Sequence, residues 1–167
     1  MKQVLFAVFV LFTVPAWGQV AQDFFNAGLK RHKMRDYKGA IKEYDKAIDA
    51  MPNYRDAYFN RGNCEVMIKD NDAAMADFSK TVELDPKYAK GYFARAKVLI
   101  SQDKHQEAMP DLNKAVQLDY KLPDLLCTRG QVRGEAGNKT GACADFQKAK
   151  ILGDPNVDEF ISQICDK

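Results

Sequence analysis

The sequence predicts an all-α chain of four stacked helix pairs closed by a terminal helix, and three observations carry that expectation. Small residues, alanines and rings recur every 34 residues along most of the chain. Within each unit the apolar positions fit two amphipathic helices separated by a turn-like stretch. The composition is that of a foldable chain: 167 residues, 46% hydrophobic and 29% charged, enough for one short repeat array.

The first element is an address label. Lys2 precedes an apolar run from Val4 to Val14, broken by Pro15, and Ala16-Trp17-Gly18 places small residues at a suitable cleavage site. A basic start, an apolar core of about 7–15 residues and a small-x-small site make a secretory signal peptide. A membrane anchor needs about 20 apolar residues, which this run does not reach. The expectation is a signal peptide at 1–18, cut near Gly18-Gln19, with no integral span in the mature chain. The mature protein is then periplasmic or secreted, where disulfides are allowed.

Four repeats come next. Gly28, Gly62, Ala96 and Gly130 are each 34 apart, as are Ala40, Ala74, Ala108 and Ala142. Tyr44, Phe78, Leu112 and Phe146 keep the period, as do Ala47, Thr81, Ala115 and Ala149, and Lys46, Lys80, Lys114 and Lys148. Arg35-Asp36 and Ala136-Gly137-Asn138 read as the turns between paired helices, and Pro52 and Pro86 close the first two units. The small residues mark a close helix–helix approach, and the ring 16 positions later fills the space beside it.

This pattern resembles the tetratricopeptide repeat, a 34-residue helix–turn–helix unit. The resemblance covers 21–54, 55–88, 89–122 and 123–156, and implies a right-handed α-solenoid. Some positions depart from it. Three residues after the small position, where the family carries a large ring, stand Arg31, Glu65, Leu99 and Arg133. Tyr120 takes the usual Pro position of unit three, and Pro155 comes one residue late in unit four. Pro110 inside the second helix of unit three removes a backbone bond unless it falls in the first turn.

Arg61, Arg95 and Arg129 precede the small residue, and Asp77, Asp111 and Asp145 stand 16 further on. Two pairings remain open. Each Arg can meet the Asp of its own unit, or an acid of the preceding one: Glu43 with Arg61, Asp77 with Arg95, Asp111 with Arg129. The second would explain Ala27 in unit one, which has no predecessor.

Residues 157–167 read as a capping helix, with Phe160, Ile161, Ile164 and Cys165 along one face; an array must cover its last apolar surface. Cys143 faces that helix and comes level with Cys165, whereas Cys64 and Cys127 lie nearly two repeats apart, too far to bridge. A Cys143–Cys165 disulfide is therefore expected, with Cys64 and Cys127 reduced. Such a staple, closing 22 residues, stabilises by on the order of 3 kcal/mol. Unit four is where it is needed, since five of the ten glycines fall there (Gly130, Gly134, Gly137, Gly141 and Gly153).

The family resemblance also implies a concave groove lined by the first helix of each repeat. Carried over position by position, that groove holds Phe25, Phe59 and Phe93, followed in the ladder by Cys127, with Leu29, Asn60, Asn63, Val66, Met67, Lys90, Lys97 and Ile100 around them. The Phe ladder serves either a peptide's apolar side chains or the packing of first helix on first helix. The clamp with which the chaperone-binding subset grips a terminal carboxylate is not reproduced: Asn60 and Lys90 match, but Phe25, Leu29 and Ala94 do not. His32 and Lys33 read as solvated residues near the groove mouth, and Asp103-Lys104-His105 as the turn of unit three.

Other functions find no foothold. With 25 basic and 23 acidic residues the formal charge is +2, too small for a phosphate-neutralising nucleic-acid binder. The two histidines, His32 and His105, stand far apart without metal-ligand spacing, and no Cys-x-x-Cys, nucleophile–base set or phosphate loop occurs. The expected function is a non-enzymatic exported module that binds a protein or peptide in its groove, without cofactor or metal. The alternative is an envelope scaffold using its convex face or cap, which leaves a homo-oligomer open.

Overall fold

The computed structural model describes residues 16–119, 121–155 and 157–166. The body of the expected signal peptide, residues 1–15, lies outside these, as does Tyr120. Among the described residues there are nine α-helices and no strand: α1 Ala16–Lys33, α2 Tyr37–Ala50, α3 Arg55–Met67, α4 Asn71–Leu84, α5 Ala89–Ser101, α6 His105–Leu118, α7 Pro123–Glu135, α8 Lys139–Ile151 and α9 Val157–Phe160. A π-helical turn, Ile161–Cys165, continues α9. Each helix packs chiefly on the one before and the one after, and α1 touches α3 as α3 touches α5.

The turn inside each pair is the same device used four times. Arg35, Lys69, Asp103 and Gly137, each 34 apart, take φ of 60°, 64°, 58° and 79°. That left-handed residue lets the next amide fold back on the departing helix: Asp36 N to Arg31 O, Asp70 N to Glu65 O, Lys104 N to Leu99 O and Asn138 N to Arg133 O, all at 2.8–3.0 Å. The same next residue then caps the second helix. Asp36, Asp70 and Asn138 accept from the amides of Gly39, Ala73 and Gly141, whereas the Lys104 side chain of unit three has no acceptor to offer.

Packing explains the small-residue period. Gly62 and Gly130 lie against the rings of Phe78 and Phe146, so close that a Cβ there would come within 2.8 and 2.5 Å of a ring carbon. Gly28 meets Tyr44 in the same way. Unit three changes both partners together: Ala96 faces the smaller Leu112, and both are fully buried. The core is a chain of clusters that straddle successive units. Tyr44 packs with Cys64, Phe78 with Ala94 and Val98, Leu112 with Leu125, and Phe146 with the cap's Val157.

Of the two pairings left open by the sequence, the one within each unit occurs. The expected pairs with the preceding unit (Glu43 with Arg61, Asp77 with Arg95, Asp111 with Arg129) do not, although the same guanidinium does reach back. Arg61, Arg95 and Arg129 each grip the Asp of their own unit with Nε and Nη2, at 2.7–2.8 Å. The remaining Nη1 reaches the preceding unit, but two residues later than expected: Asp45 at 2.6 Å, Ser79 at 3.2 Å and Asn113 at 3.1 Å. On a helix two residues amount to about half a turn, so Glu43 faces α1, where Arg31 meets it at 3.5 Å, and Asp45 faces α3.

At the far end Cys143 and Cys165 are joined, with Cα atoms 5.7 Å apart, and Phe160 stacks on Phe146 at 5.7 Å between ring centroids. The terminal segment keeps its apolar face of Phe160, Ile161, Ile164 and Cys165 against α8 and its neighbours, but it widens into the π turn. Pro110 is the sixth residue of α6, beyond the first turn, and the helix runs through it.

Candidate peptide-binding groove

Two adjoining hollows run along the first helices of the units. The larger, about 450 Å³, is lined by His32 at the end of α1, by Asn63, Val66 and Met67 on α3, and by Ala94, Lys97, Val98 and Ser101 on α5, with an edge of Phe78. The second, about 260 Å³, takes Phe59 and Asn63 from α3, Lys90, Phe93, Ala94 and Lys97 from α5, and Leu122 and Asp124 at the start of α7. Asn63, Ala94 and Lys97 belong to both, so the hollows form one trough that draws on all four units.

The structure brings together Phe59, Asn63, Val66, Met67, Lys90, Phe93 and Lys97 of the expected groove residues. Val66 and Met67 are the apolar side chains most open to solvent there, at 39% and 55% exposure. Lys97 holds its ammonium 4.8 Å from the centre of the Phe93 ring. Phe25, Asn60 and Ile100 do not line the trough. Phe25 is wedged between Tyr44 and Tyr54, at 5.7 and 5.0 Å. Asn60 is tied to its own helix, donating to Asp56 O at 2.8 Å. Ile100 is half-buried against the Leu112 cluster. Leu29 is half-buried as well and lines neither hollow.

The Phe ladder is therefore largely packing. Phe59 sits 5.9 Å from Phe78 and edge-on to Tyr88 at 5.2 Å, offering only part of its ring, and Phe93 is 8% exposed. Sequence reasoning missed Ala94, Val98 and Ser101. Their signal was present, because they share a helical stripe with Lys90 and Lys97 at spacings of three and four. His32, expected as solvated, is half-buried with its ring 5.5 Å from Tyr37.

A third hollow of about 590 Å³ opens where the ladder changes to Cys127; its walls include Asp124, Gln131, Glu159 and Phe160. Burial pushes the Cys127 thiol up to about 11 and the Cys64 thiol up to about 12, so both stay protonated and poorly nucleophilic near neutrality. Among the described residues no three His, Cys, Asp or Glu side chains are placed to hold a metal ion, and no helix is long and apolar enough to cross a membrane.

Two tetratricopeptide repeat family profiles match residues 25–89 and 89–122, a continuous stretch of more than half the chain. The chain belongs to the tetratricopeptide repeat family. Among solved structures this tetratricopeptide repeat protein is similar to MamA, with a TM-score of 0.73 at 24% identity over 81% of this chain and 74% of that one. It is also similar to YrrB, described as a TPR protein with an unusual peptide-binding site, with a TM-score of 0.70 at 19% identity over 83% and 75%. A third similar structure is the first TPR of Spaghetti (RPAP3) bound to an HSP90 peptide: TM-score 0.69, 24% identity, 72% and 95%. At such identities the likeness is one of fold: an all-α, right-handed solenoid of stacked helix pairs. No curated protein sequence matches the chain.

Proposed function

We propose that this chain is a non-enzymatic interaction module, exported through its N-terminal apolar segment, that holds a protein or peptide partner in the trough across α1, α3, α5 and α7. The observation that carries it is the trough itself: continuous from α1 to the start of α7, with Val66 and Met67 exposed on its wall and polar groups spaced along it. YrrB and the Spaghetti domain, which share the fold, have a peptide site and a bound peptide respectively, and this supports the same use here. Export rests on the sequence of the first 18 residues and fits a chain that closes a disulfide.

The test is capture of partners by the purified protein beside a Val66→Asp, Met67→Asp variant. Both side chains are exposed, so the variant keeps its fold, as circular dichroism will show. Loss of the captured protein supports the groove. Undiminished capture sinks it and favours a second reading, in which the convex side is the contact surface. That reading has one observation behind it: an apolar hollow lined by Val116, Leu126, Lys148, Ile151 and Leu152, with Ile151 84% exposed where the other units carry Asp49, Glu83 and Gln117. Cell fractionation tests export, which a wholly cytosolic, unprocessed chain would overturn.

A further inference from the structure

Resting on the groove reading, we propose that the occupant is an internal stretch of a partner chain that presents an acidic side chain between apolar ones, with the acid seated at Lys90 and Lys97. The trough has an apolar floor of Phe59, Phe93, Ala94 and Val98, and its charge is lopsided. Lys90 and Lys97 stand exposed in the middle, His32 closes the α1 end, and the acid on the walls is Asp124, at the α7 end.

Three lysines outside the trough have a carboxylate partner: Lys46 meets Glu43, Lys80 meets Glu83 and Lys150 meets Asp158. Among the described residues the two groove lysines meet none; Lys97 rests instead on the face of Phe93, which orients the cation without neutralising it. A carboxylate entering the trough would meet two such ammonium groups beside an apolar floor, where the attraction exceeds that at an open surface. At the Asp124 end an acid would be repelled, which fixes where along the segment the acid stands. A chain terminus is not required, because Phe25, Leu29 and Ala94 replace the groups that would grip one.

The test is selection of random peptides displayed as internal loops, with no free terminus, on the purified oxidised protein and in parallel on a Lys90→Glu, Lys97→Glu variant. Both lysines are exposed, and circular dichroism checks the variant. The expected result is enrichment of loops with an acid between apolar residues, bound about ten-fold or more weakly by the variant and more weakly as salt rises. Enriched loops that lose binding with Val66→Asp, Met67→Asp but show no acidic preference would overturn this inference and leave the groove reading intact. Loops that bind both groove variants as well as the parent protein, or no enrichment at all, would overturn both.

Discussion

Glu65 stands at a position that units one and four give to arginine. Arg133 meets Asp145 at 2.8 Å and Arg31 meets Glu43, whereas Glu65 is turned against another acid, Asp77, with Arg61 Nε no nearer than 3.9 Å. Glu65 is 7% exposed and its Oε2 has no hydrogen-bond partner. Burial, and then the Asp77 charge, push its carboxyl up to about 7, from 4.5 in an ordinary setting. A raised acid favours the folded state while protonated. The contribution is therefore complete below the unfolded value near 4.5 and lost as pH rises through about 7. The unfolding free energy from urea titrations should fall between pH 5 and 8, by on the order of 1–3 kcal/mol. Glu65→Gln should flatten that fall, and Glu65→Arg should reproduce the unit-four arrangement and raise stability at pH 8. An unchanged slope in Glu65→Gln would show that the decline has another source. Tyr44 is a second buried group out of step, since its hydroxyl has no partner and the equivalent Phe78 and Phe146 have none to satisfy. Tyr44→Phe should raise stability by about 1 kcal/mol in the same measurement.

Among the helices, α6 is the least well supported second member of a pair. Lys104 offers no cap where Asp36, Asp70 and Asn138 do, and Pro110 deletes a bond one and a half turns in. Lys104→Asp should supply the missing acceptor for the third amide and stabilise by about 1 kcal/mol in thermal unfolding. The arginine forks tie helices the other way. Asp145 is 1% exposed and takes both Arg129 and Arg133, so Asp145→Ala leaves two guanidinium groups facing a hole. A loss of about 3–5 kcal/mol in urea unfolding is expected; a loss under 1 kcal/mol would mean that water satisfies them.

Taken entire, the array is a line of clusters in which each unit covers its neighbour, so the last unit depends on the cap. Phe160 on Phe146, Ile164 beside Gly134 and the Cys143–Cys165 link hold that cap over a glycine-rich unit. Cys143→Ser with Cys165→Ser should cost about 3 kcal/mol. Hydrogen exchange should show the loss first in α8 and α9, spreading only weakly to α1–α4. Uniform loss of protection would mean that the array opens as one unit instead.

The helix pairs and the contact of glycine with ring were legible in the 34-residue period, which also offered the arginine with its Asp 16 residues on as one of two pairings. Those features are local or recur at a fixed spacing, so one chain shows each of them several times. Where a helical side chain points once its neighbours are in place was settled by packing, which no single unit reveals. Packing turned Phe25 and most of Phe93 inward, tied Asn60 to its own backbone, and moved the arginine's backward contact from Glu43 to Asp45. The reason is angular: successive residues on a helix differ by about 100° around the axis. A groove residue and a core residue can thus be adjacent in sequence, and the bend of the stack decides which is which.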